Sequence, residues 1–196
     1  NLMALQGWPT FSYWLFGILG TISMLLFLLK LIMYPHMVKE DITTSPVLAS
    51  VSAGAFMALM QIATYIKVFN FTVAQLIWIA AVLGHSILII WFTWCYVIKQ
   101  HTPEQFYPTY FLVYAGIAVA SLTSSQFNML DLGRLIFVIS TILFTLSFIL
   151  VVRRYFLVEP IPAGFKPFFC LFTAPPSLFL ASWTAVFPSN CEFAIF

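Results

Sequence analysis

The chain has 196 residues, 62% of them hydrophobic and 7% charged. Soluble domains carry about 25% charged residues, so the surface of a water-soluble globule cannot be assembled from this composition. A net charge of +2 excludes a nucleic-acid footprint. Cys95, Cys170 and Cys191, without Cys-x-x-Cys spacing, indicate neither a disulfide framework nor a zinc site.

The sequence starts at Asn1 and stops within an apolar stretch, Cys191 to Phe196. No charged n-region precedes the first apolar run, so it does not read as a signal peptide, and a longer parent chain is the expectation. A membrane-crossing helix needs about 20 mostly apolar residues. The sequence predicts six of them, at about 11–33, 46–67, 72–98, 106–127, 133–154 and 167–188, in a single all-α transmembrane domain. Short polar connectors join them, the clearest at 36–45 and 153–166. Strands of a membrane barrel would be half as long and would alternate polar with apolar residues. Lys30, Lys39, Lys99, Arg153, Arg154 and Lys166 flank the odd connectors, against Lys67 and Arg134 for the even ones. Basic loops stay cytoplasmic, so both ends are expected outside, in a bacterial inner or plasma membrane.

Pro46, Pro108 and Pro167 each open a span, 62 and 59 residues apart. At matching offsets follow Ala53-Gly54, Ala115-Gly116 and Ala174-Pro175. A recurring offset indicates a repeated unit, here a two-helix hairpin of about 60 residues. The proline-led spans are rich in small and hydroxyl residues, which let helix backbones approach closely. Their partners are Leu, Ile, Phe and Val nearly all round. The proline-led helices are therefore expected inside and their partners toward lipid. Ser50, Gly54 and Ala58 share a helix face at i, i+4 and i+8, and Gly116 and Ala120 repeat the two later offsets. With Ser121, Ser177 and Ser182 they are candidate pore-lining residues. Each serine is equally compatible with ordinary helix packing.

Lys166-Pro-Phe-Phe-Cys-Leu-Phe-Thr-Ala-Pro-Pro-Ser177 resembles a proline-led helix of the tellurite-resistance/dicarboxylate transporter family, which includes the plant slow anion channels. Tyr107-Pro-Thr-Tyr-Phe-Leu-Val-Tyr-Ala-Gly116 and Ser45-Pro-Val-Leu-Ala-Ser50 are similar to its other inner helices. The resemblance implies a ten-helix, pseudo-five-fold pore fold of five hairpins, of which this chain matches about helices two to seven. It also implies a homotrimer in the lipid bilayer that conducts small anions such as C4-dicarboxylates (malate), sulfite or chloride. A toxic-compound or lipophilic-cation exporter is the alternative, as is a truncated, non-functional piece. The family's pore-occluding phenylalanine lies on its ninth helix and has no counterpart here.

Intramembrane ionisable residues mark coupling sites, and here the acids all fall in connectors or near span ends. No enzyme, metal or cofactor chemistry is indicated, because His85 is alone at membrane depth, with His36 and His101 in connectors. His85 reads as a neutral ring bonded to a neighbouring helix, Cys95 and Cys170 as apolar fillers, and Arg153-Arg154 as interface charges. Pro175-Pro176 falls mid-span and is expected to kink that helix, freeing carbonyls at Leu171 and Phe172, with or without a role in transport.

Overall fold

The computed structural model describes residues 10–99, 106–157 and 163–187. His101, Cys191 and the last residue of the sixth expected span lie outside that set. Helices α1 (Thr10–Met33), α2 (Pro35–Thr44), α3 (Pro46–Val51), α4 (Ala53–Ile66) and α5 (Phe71–Phe92) come first. Then follow α6 (Tyr110–Tyr114), α7 (Ala118–Ser124), α8 (Leu130–Leu157) and α9 (Ala174–Val186). No strand occurs among the described residues. Five helical stretches are long and apolar enough to cross a membrane: Pro46–Ile66, Phe71–Lys99, Tyr110–Phe127, Leu130–Leu157 and Pro167–Val186. A sixth forms if Gly17–Met33 is counted with Pro35–Thr44, the two being bent by 98°.

The chain is thus an all-α integral membrane protein, and local chemistry sets its helix boundaries. Ser45 caps α3, its hydroxyl accepting from Leu48 N, and Pro46 takes a first-turn position where no N–H is needed. Asn70 caps α5 in the same way, accepting from Val73 N at 3.1 Å. Asn128 stops the 106–127 span in the left-handed conformation, φ 57°, which a short polar side chain tolerates. The connector 36–45, expected as a loop, is mostly helical: α2 starts on Pro35 and tucks Val38 inside.

The spans pack in two layers. Tyr110–Phe127 stands at the centre, with α4 on one side and α9 on the other. Outside them lie α1 and α5 against α4, and α8 against α7 and α9. Of Tyr110–Phe127 78% is buried, against 22% of the apolar part of Leu130–Leu157. That contrast follows from composition: Ala, Gly and Ser at the centre permit close approach, while α8 presents Leu135, Ile142, Leu146 and Ile149 outward. Pro167–Val186 departs from the expected inner position, with 17% of its most apolar part buried; among the described residues α9 packs chiefly against α7, α8 and the 3₁₀ stretch before it.

Candidate functional site

Each proline-led span is interrupted a short way past its proline. The first breaks at Ser52, between α3 and α4; the second at Ala115–Ile117, between α6 and α7; the third at Thr173. These positions adjoin the recurring Ala-Gly and Ala-Pro pairs, so the repeat records a repeated break. At the second break three successive i→i+3 bonds replace the α-helical ladder: Ala118 N to Ala115 O, Val119 N to Gly116 O and Ala120 N to Ile117 O. At the third, a 3₁₀ stretch Ala163–Phe172 leads to Thr173, whose hydroxyl donates to Cys170 O at 2.7 Å. Pro175 and Pro176 therefore open a new helix instead of bending a continuous one. In a first turn their missing N–H groups cost nothing.

Beside the second and third breaks lies a cleft of about 210 Å³ that all three proline-led spans line. Met57 comes from the first, Phe111, Leu112, Ala115 and Gly116 from the second, and Leu171, Ala174, Pro175 and Leu178 from the third. None of these residues carries a charge.

Of the candidate pore-lining and kink residues, the cleft unites Gly116 and Pro175, together with Ala115 and Ala174 of the repeat pairs. A Cβ on Gly116 would collide with the Leu112 carbonyl and come within 2.7 Å of Met57 Sδ and 3.1 Å of His85 Cε1. Gly54 and Ala58 are half-buried, and a Cβ on Gly54 would meet no atom within 4 Å. Ala120 is fully buried. Three serine hydroxyls are spent on backbone: Ser50 donates to Val47 O at 2.7 Å, Ser177 to Ala174 O at 2.8 Å and Ser182 to Ala118 O at 3.0 Å. Ser121 Oγ is buried and has no hydrogen-bond partner among the described residues.

Sequence reasoning missed the bulky part of the lining, Met57, Phe111, Leu171 and Leu178, since apolar residues in a membrane helix look alike whether they face lipid or a cleft. It also placed Arg154 among interface charges, whereas Arg154 is 4% exposed and sits 4.9 Å from the Tyr107 ring centroid. That cation–π contact holds a positive charge beside the start of the central inner span. His85 is fully buried, and its Nε2 lies 2.9 Å from Val113 O. This is the interhelical bond its sequence position suggested.

Broken inner helices, greasy outer helices and a shared cleft define a multi-pass membrane protein of transporter or channel architecture. The chain belongs to the SLAC1 family of voltage-dependent anion channels, whose profile matches residues 2–191. No individual curated protein matches it. It is accordingly a multi-pass membrane protein of an anion channel and transporter family.

Proposed function

We propose that the cleft between the three proline-led spans is part of the conduction pathway, and that it passes small anions such as chloride, sulfite or a C4-dicarboxylate like malate. The observation that carries this reading is the convergence of all three interrupted spans on one cleft. Irregular backbone is tolerated at membrane depth where it is buried in protein or lines a cavity. In this reading Gly54, Ala58, Ser177, Ser50, Ala120, Ser121 and Ser182, carried on the same three spans, belong to the wider pathway or to its support. An apolar stretch of lining provides a barrier that wets and dewets, with little discrimination among anions. Sign selectivity is supported by Arg154 beside the central span and by the lack of any carboxylate in the cleft. With the odd connectors cytoplasmic, Arg154 stands at the cytoplasmic mouth.

The test is reconstitution of the full chain into liposomes, with reversal potentials read in a potassium chloride gradient and again with malate replacing chloride. Potentials that follow the anion gradient support the proposal. Potentials that follow potassium sink it.

A further inference from the structure

His85 lies on α5, a helix of the outer layer, yet its side chain reaches the interrupted turn of the central inner span. Nε2 is 2.9 Å from the carbonyl oxygen of Val113. A carbonyl only accepts, so Nε2 carries the proton and donates. In an unbroken α-helix that carbonyl would accept from the N–H of Ile117; here the donor that reaches it is His85. Just beyond it the carbonyls of Ala115, Gly116 and Ile117 accept the three i→i+3 bonds, from the N–H groups of Ala118, Val119 and Ala120. Three residues wound as 3₁₀ rather than α rotate everything downstream by about 60° and lengthen the span by roughly 1.5 Å. The winding at this break therefore decides which face of α7 turns toward the cleft.

The imidazole also backs the cleft wall. Its Cε1 would lie 3.1 Å from a Cβ on Gly116, and Gly116 itself borders the cleft together with Met57. Phe56 closes the other side, its ring centroid 6.1 Å from that of His85. The second ring nitrogen, Nδ1, is buried with no partner among the described residues. A leucine or phenylalanine would fill this site without that desolvated nitrogen, whose burial is unfavourable. What the histidine adds beyond volume is the Nε2 proton on Val113 O.

We infer that His85 is a positioning residue for conduction: from the outer layer it holds the central inner span in its interrupted form and so sets the Gly116 wall of the cleft. The inference rests on the cleft being the pathway. Two variants of the full chain separate donor from volume. His85→Leu keeps the bulk and loses the donor, whereas His85→Gln places an amide N–H close to the Nε2 position. In liposomes, at matched amounts of monodisperse protein, His85→Leu should lower chloride flux about tenfold, as expected for a lost buried hydrogen bond. His85→Gln should restore flux to within about threefold of the parent. Equal flux in parent and His85→Leu, or equal impairment of both variants, overturns the inference. If His85→Leu does not fold, ¹⁵N chemical shifts of the parent protein decide instead: the Nε2–H tautomer is required, and an Nδ1–H tautomer refutes it. A parent chain that gives no flux strikes the transport reading, and the tautomer then judges the His85–Val113 bond alone.

Discussion

The indole N–H of Trp78 donates to the hydroxyl of Thr123 across 2.8 Å, tying the outer helix α5 to the inner helix α7 at a point where both side chains are fully buried. The Trp78 ring stacks on Phe127, centroids 5.3 Å apart, and the Thr123 hydroxyl donates onward to Val119 O at 2.8 Å. The contact thus fixes how two consecutive spans, the partners of one hairpin, register against each other. Interhelical hydrogen bonds in membranes couple by about 0.6 kcal/mol, rarely above about 1.7. A double-mutant cycle with Trp78→Phe and Thr123→Val, read by reversible unfolding in mixed micelles, should return a coupling in that range.

The two glycines of the proline-led spans should respond differently to a large side chain. Gly54→Leu has space at its Cβ and should leave yield and thermal stability close to the parent while lowering anion flux. Gly116→Leu drives carbon into the Leu112 carbonyl and Met57 and should reduce the yield of folded protein before any flux is measured. Size-exclusion recovery alongside liposome flux distinguishes these outcomes. A well-folded Gly116→Leu protein would contradict the packing.

Ser121 and Ser182 offer a second contrast. Ser182→Ala deletes the bond to Ala118 O that joins α9 to α7 and should cost about 1 kcal/mol. Ser121→Ala removes a buried hydroxyl that has no partner among the described residues, so stability should hold or rise. Thermal unfolding midpoints in one detergent compare the pair directly. A loss of flux in Ser121→Ala without a loss of stability would tie this hydroxyl to the shape of the pathway.

Gly133, near the start of α8, faces Ser124 so closely that an added Cβ would overlap the serine Oγ and approach its Cβ to 2.6 Å. Gly133→Ala should destabilise by roughly 1–3 kcal/mol, the usual cost of overpacking. Adding Ser124→Gly should recover much of that loss. The midpoint of unfolding measures both steps, and additive losses would contradict the contact.

The membrane made much of this fold legible in advance. Lipid demands long apolar helices whose backbone groups are satisfied internally, so hydropathy alone locates the spans. The recurring proline offsets read as a repeated hairpin, and only the structure shows that the same positions, near Ser52, Gly116 and Thr173, interrupt the helices. The bend after Met33 was hidden, since a polar decapeptide reads as a loop until Pro35 is seen to open a helix. Small residues were ambiguous for a physical reason: alanine and serine serve close helix contact and an open wall equally well. Ala120 and Ser182 are buried by such contacts, while Gly54 keeps open space. Arg154 was misplaced because its burial depends on Tyr107, 47 positions earlier in the sequence.

The two layers also differ in height. Leu130–Leu157 has 28 residues and Tyr110–Phe127 has 18, which at 1.5 Å per residue is about 42 Å against about 27 Å. The lipid-facing shell is thus taller than the wall it surrounds, and it must tilt or protrude from a hydrocarbon core of about 30 Å. If the cleft is the pathway, an aqueous vestibule at either end of the inner wall would shorten the insulating distance further. Across such a waist the membrane voltage is concentrated rather than spread over the full bilayer. A monovalent ion crossing it then feels nearly the whole of the roughly 2.3 kcal/mol per 100 mV within the reach of a few residues.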